Sequence, residues 1–150
     1  MNEADYNRLV EEQGWTPLLE ACSAEDYEAV LKLIQSGADV NVVDKFGTTP
    51  LERAVRNAYE NEDAAAKIVS LLLDNKANIN AQNNEGVTAL MQTAIYNYVT
   101  IARMLIERGA DVNLRWNDGN TVISVVESIP SLARKRKRMI KMLEDAGGVR

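Results

Sequence analysis

The chain has 150 residues, a formal net charge of −5, 46% hydrophobic residues and 26% charged ones, enough apolar content for one ordinary core and enough charge for solubility. The acidic balance argues against nucleic acid or an anionic membrane as partner of the whole surface, and mildly favours a protein partner with a basic patch. Cys22 is the single cysteine, so no intrachain disulfide forms. An acidic start without an apolar run of signal or membrane-spanning length makes the cytoplasm the expected location.

Residues 1–13 place Tyr6, Leu9 and Val10 at helical spacing after Asp5, a capping residue type, and predict a short helix covering the segment that begins at Gly14. From there a glycine followed two residues later by a threonine recurs four times. The pairs are Gly14 and Thr16, Gly47 and Thr49, Gly86 and Thr88, and Gly119 and Thr121, at spacings of 33, 39 and 33 residues. Such a period means one supersecondary unit stacked on copies of itself, because one unit alone cannot bury its apolar face. The units run 14–46, 47–85, 86–118 and 119–150 within one domain.

Each unit has the same internal order. The threonine caps a short apolar-periodic helix, and Pro17 and Pro50 fall in its first turn, where a missing N–H costs nothing. A second amphipathic helix comes next, carrying Val30, Leu31, Leu33 and Ile34 in the first unit and Ile68, Val69, Leu71, Leu72 and Leu73 in the second. The third has Ile101, Ala102, Met104, Leu105 and Ile106, and the fourth Met139, Ile140, Met142 and Leu143. Gly37, Gly109 and Gly147 stop these helices in the left-handed conformation. Lys76 holds that place in the second unit, which predicts a less stable or differently shaped corner. Short alternating segments such as Ala38-Asp39-Val40-Asn41 then lead to the next glycine as a turn or β-hairpin.

The glycine, the Thr-Pro-Leu of 16–18 and 49–51, the helix pair and the Gly-Ala-Asp-Val-Asn of 37–41 and 109–113, in one register, resemble the ankyrin repeat over residues 14–150. The resemblance implies an all-α solenoid of stacked helix-turn-helix units with short β-hairpin loops to one side. The third unit has Ala89 for the proline. The fourth has Val122 there and ends in Gly147-Gly148-Val149-Arg150, as a terminal cap would.

The family's histidine after Thr-Pro-Leu is replaced by Leu19, Glu52, Met91 and Ser124, and the chain has no histidine at all. These loops are therefore held by other bonds or by fewer, and the commonest general base and metal ligand is missing. The second unit is six residues longer than the first, the excess lying in 55–64. It either lengthens the first helix or makes a protruding loop with an acidic tip of Glu60, Glu62 and Asp63. Acids before a helix ordinarily stabilise its N-terminus. The fourth unit has extra residues near Pro130, then the run Arg134-Lys135-Arg136-Lys137-Arg138. Leu132, Met139, Ile140 and Leu143 share a buried face, leaving most of that run exposed either as a terminal capping surface or as an import or anion-binding signal.

No catalytic constellation is evident. Cys22, near Leu18 and Ala21, reads as a buried thiol, and Glu25, Asp26 and Glu28 read as acids at a helix start. No cofactor or metal is expected. The family resemblance implies instead a partner-binding concave face made of hairpin tips and first-helix ends. On this sequence those are Trp15, then Lys45, Phe46 and Thr48, then Asn84, Glu85 and Val87, then Asn117, Asp118 and Asn120, with Arg56, Asn57, Ile95, Tyr96 and Ser128 at the helix ends.

Aromatic and arginine side chains concentrate interface energy, which selects Trp15, Phe46, Tyr96, Arg115 and Trp116 as anchors. Trp116 stands where the other units have Asp44 and Asn83, and it either projects for binding or folds over the fourth unit. The expected function is a non-enzymatic, monomeric protein-binding module. A stand-alone inhibitor or immunity protein and a nuclear regulator using 134–138 are the alternatives. The family's hydroxylatable asparagines correspond to Asn41, Asn80 and Asn113, whose simpler role is side-chain bonding within the turn.

Overall fold

The computed structural model describes residues 2, 4, 10–130, 134 and 136–150; the N-terminal positions Asp5, Tyr6 and Leu9, and Leu132 and Lys135 further on, lie outside them. Residues 10–13 are helical. Among the described residues four pairs of helices follow: α1 (Pro17–Ser23) and α2 (Tyr27–Gln35), α3 (Pro50–Arg56) and α4 (Glu62–Asp74), α5 (Ala89–Tyr96) and α6 (Val99–Glu107), α7 (Val122–Ser128) and α8 (Lys137–Asp145). First helices pack on first helices along one row, and second helices on second helices along another. Leu18, Leu51, Leu90 and Ile123 from the first row meet Val30, Ile68, Leu72, Ile101, Leu105, Met139 and Leu143 from the second in one buried core.

The threonines start the first row as their spacing predicts. Thr16, Thr49, Thr88 and Thr121 each accept a hydrogen bond from the N–H three residues on, at 3.2–3.3 Å. Pro17 and Pro50 open their helices at no cost in hydrogen bonds. The second helices end in one shape throughout. Ala38, Ala77, Ala110 and Gly148 each donate their N–H to the carbonyl five residues back, closing off carbonyls that the last turn leaves free. Lys76 takes φ +69° at the position where Gly37, Gly109 and Gly147 take about +90°. The corner therefore keeps its shape, contrary to one of the two sequence expectations, and places a β-carbon in the left-handed region.

The extra residues of the second pair enter mainly through its second helix. The connector spans 57–61 where the first pair has 24–26, and α4 has 13 residues against nine in α2, while α3 keeps the seven of α1. Asn61 caps α4 by accepting from the Ala64 N–H. Glu62 accepts from the Ile101 N–H at 3.0 Å, capping α6, whose own cap residue Tyr98 supplies no side-chain bond. Glu62 is thus used in holding the third pair to the second.

Neighbouring units are stitched on two lines. At the hairpin tips, Lys45 donates its N–H to the Gln13 carbonyl, Asn84 to Phe46 and Asn117 to Glu85, at 2.9–3.2 Å. The four repeat glycines take φ of +67° to +86°, which favours glycine, and two of them also meet the next tip closely. A β-carbon at Gly47 or Gly86 would lie 2.7 Å from the Asn84 or Asn117 side-chain oxygen of the next tip, whereas Gly119 has open space around it. Below the tips, the turns are closed by Asp39, Asn78 and Asp111, which accept from the N–H two residues on. Asn41, Asn80 and Asn113 instead reach the following segment: Asn41 to Lys76 and Asn78, Asn80 to Asp111, Asn113 to Gly147 and Val149. Their bonding is across units, not within the turn. The expected hairpins are turn-sized, and an antiparallel bridge pairs Arg115 with Thr121 across one of them.

Candidate protein-binding surface

The first two hairpins each close on one polar side chain. Asp44 Oδ1 accepts from the N–H groups of Phe46 and Thr48, and Asn83 Oδ1 does the same for Glu85 and Val87. Trp116 has no such oxygen. Its hairpin relies on Asp118, which accepts from the Asn120 N–H, and on Arg115, which donates to the Gly119 carbonyl at 2.6 Å.

The first two hairpins are also anchored to the helices below. Arg53 pairs with Asp44 at 2.6 Å and lies 4.6 Å over the Trp15 ring, a charge held against an aromatic face. Burial pushes the Asp44 carboxyl up, but the Thr48 and Phe46 N–H groups and the Arg53 guanidinium outweigh it and hold the carboxyl below its usual range. Glu52, at the missing histidine's place, is 3% exposed and accepts from Gln92, Asn83 and Arg56. There burial prevails, and the three donors only partly offset the upward shift. Met91 and Ser124 answer the same loss locally, accepting from the N–H of Thr88 and Thr121, while Leu19 simply joins the buried residues.

Above this framework lies a cleft of about 210 Å³ lined by Phe46, Thr48, Arg56, Asn83, Asn84 and Glu85. Five of these six are residues selected from sequence. Arg56 reaches the cleft because its side chain runs back one turn to Glu52. Lys45, Asn117, Asp118, Asn120 and Arg115 are exposed around it and further along the tips. Phe46 is 53% exposed, with the Lys45 ammonium 5.0 Å from its ring centre.

Several selected residues lie elsewhere. Thr48 and Val87 are 1% and 5% exposed; the carbonyls of both accept from the Asp44 and Asn83 N–H groups, and Thr48, though nearly buried, keeps its place in the cleft wall. Trp116 is half-buried and packs on the core, and Trp15 lies beneath Arg53. Asn57 donates to the Ser23 carbonyl at 2.7 Å, a bond between pairs. Asn57, Ile95, Tyr96 and Ser128 sit where the first helices end, one helix length from the tips, about 10–12 Å at 1.5 Å per residue. The basic run is not uniform either. Arg134, Lys137 and Arg138 are exposed, but Arg136 is 6% exposed and donates to the Ile95 carbonyl at the end of α5. A cation at a helix C-terminus satisfies free carbonyls and the helix dipole. Sequence reasoning took Asp44 and Asn83 only as polar turn formers, which their hairpin bonds bear out, and missed Glu52 and Arg53 as supports of the surface.

The stacked pairs, the threonine-started first row and the tip-borne cleft define a repeat module that presents a surface. A family model described as ankyrin repeats in three copies matches residues 1–82, and a second, ankyrin repeats in many copies, matches residues 72–126. The chain belongs to the ankyrin repeat family. It is 37% identical over 117 residues to the B-cell lymphoma 3 protein homolog of Mus musculus, covering 77% of this chain and 25% of that one. It is 31% identical over 140 residues to the nuclear factor NF-kappa-B p105 subunit of Gallus gallus, covering 87% and 14%. A putative ankyrin repeat protein, L91, of Acanthamoeba polyphaga mimivirus is 31% identical over 139 residues, covering 83% and 21%. The chain thus spans a quarter or less of these relatives' lengths. Ankyrin repeats are protein–protein interaction modules and generally not enzymes. Among the described residues no helix is long and apolar enough to cross a membrane.

Proposed function

We propose that this protein binds a protein partner through the hairpin-tip face of its first three units, with Phe46 as the anchor. The carrying observation is the cleft, where an exposed aromatic ring stands beside Arg56, Asn84 and Glu85 on backbone fixed by tip-to-tip bonds. A pre-ordered backbone lowers the entropic cost of docking, and an aromatic beside a polar rim is where interface energy collects. Exposed Glu85 and Asp118 favour basic groups on the partner.

The work of this face is occupancy: it covers part of a partner, as an inhibitor does, and needs no bond-making group. Cys22 supplies none, since burial pushes its thiol up to about 12 and leaves it unreactive. A buried, protonated thiol suits the reducing cytoplasm. Of the alternatives, the nuclear reading loses support because Arg136 is committed inside the fold.

Affinity capture with the folded chain, run beside Phe46→Ala and Glu85→Lys, tests the reading. A partner held by the native chain and weakened by about 1–4 kcal/mol in Phe46→Ala supports the tip face. Equal retention by both variants excludes it.

A further inference from the structure

The connectors between the helices of each pair form a second edge of the stack, at the opposite ends of the first helices from the tips. Glu25 and Asp63 line one pocket between the first two connectors. The Glu25 carboxyl is pushed up by burial and then by the charge of Glu60. The Tyr98 hydroxyl feels burial, then Tyr96, Glu62, Glu25 and Tyr59. Tyr96 and Tyr98 stack with ring centres 5.6 Å apart, and Arg136 reaches the carbonyl of Ile95, the residue before Tyr96.

This edge is graded in charge. The first two pairs contribute Glu25, Glu60, Glu62 and Asp63; the middle carries Tyr59, 72% exposed, and Tyr96, 50% exposed; the last pair contributes exposed Arg134, Lys137 and Arg138. The whole chain has the same polarity. Residues 1–75 hold 15 acids and six bases, a net −9, and residues 76–150 hold seven acids and 11 bases, a net +4.

We propose that this edge pairs with the same edge of a second copy of the chain about a two-fold axis. A two-fold contact needs a patch that complements its own reverse. A row running from acidic through aromatic to basic does so: turned end for end, its acids meet bases and its exposed tyrosines meet tyrosines at the centre. Aromatic centres with polar rims are the usual anatomy of such contacts. A stable interface takes about 800 Å² from each partner, roughly a tenth of this chain's 7919 Å² of accessible surface, from an edge that runs along all four pairs. Such a pair leaves the hairpin tips free on both members.

Sedimentation equilibrium of the full chain, at low and at about 0.5 M salt, tests this together with two charge-reversed forms. Glu60→Lys with Asp63→Lys reverses the exposed acids Glu60 and Asp63 at the acidic end, and Lys137→Glu with Arg138→Glu reverses two of the three exposed bases at the other; circular dichroism checks that both are folded. The native chain is expected to form a dimer that salt weakens. Each reversed form should weaken it at least about tenfold, and their equimolar mixture should restore it to within about threefold, because every reversed patch then meets an opposite one. A native chain that stays monomeric at millimolar concentration overturns the proposal. So does a dimer indifferent to both reversals, or a mixture of two monomeric variants that fails to pair.

Discussion

Glu52 of α3 and Gln92 of α5 share a hydrogen bond of 3.0 Å between two side chains that are 3% and 5% exposed. Asn83 and Arg56 converge on the same carboxylate oxygen. Glu52→Ala strands these donors and is expected to cost about 2–4 kcal/mol in urea unfolding at pH 7. Glu52→Gln keeps an acceptor and should cost less than about 1 kcal/mol. The pH profile separates the two forms further. A carboxyl with its folded pKa raised above the unfolded value, here usually 4.5, binds its proton more tightly in the native state. Stability therefore falls as pH rises from about 4.5 through the raised value, then levels. Glu52→Gln should flatten that descent, and a profile identical to the native one would refute the assignment.

Asp44 has the opposite sign. Its folded pKa lies below the usual 3.8, so its contribution is present above the unfolded value and disappears as pH falls through the folded one. Asp44→Asn keeps the oxygen that closes the hairpin, as Asn83 does one unit on, but loses the Arg53 charge pair. We expect a loss of about 1–3 kcal/mol at pH 7, below the full cost of breaking a buried pair because Arg53 is 16% exposed. The loss of stability below pH 3.8 should become shallower, measured by acid titration of the circular dichroism signal.

Lys76→Gly is expected to stabilise the chain by about 0.5–1 kcal/mol, since the backbone is already left-handed there and glycine removes the β-carbon penalty. The bond from Asn41 uses the Lys76 carbonyl and survives the change. Thermal melting would show a higher midpoint; a lower one would mean that the lysine side chain makes a contact worth more than its strain.

Trp116→Ala should act on stability, costing about 2–3 kcal/mol, because the ring is partly buried against the core. The folded protein should keep its partner affinity, in contrast to Phe46→Ala. Denaturation and binding measured on the same preparation distinguish the two residues.

The scaffold was legible in the sequence because its signals are local. Threonine caps, stop glycines and helical apolar spacing each act within a few residues, and Thr16, Gly37 and Leu72 sit where those rules place them. The surface was less legible because it depends on contacts between units. Thr48 and Val87 have the correct register for hairpin tips, yet both are buried in the stack. Arg136 is indistinguishable from its neighbours in a basic run until α5 brings the Ile95 carbonyl to it. The loss of histidine was visible, but the converging amides that serve Glu52 come from residues 31 and 40 positions away.

The asparagines below the tips set a chemical condition on the whole array. Asn41 donates a hydrogen bond to the Lys76 carbonyl and accepts one from the Asn78 N–H, and Asn113 does the same with Gly147 and Val149. Only a primary amide of that length offers both polarities on one plane; an ionised aspartate has no donor to give. Spontaneous deamidation at either position would exchange two atoms of nearly equal size and leave a carboxylate facing a carbonyl. The ageing of a single side chain would then open the seam between neighbouring units without disturbing a residue of the core.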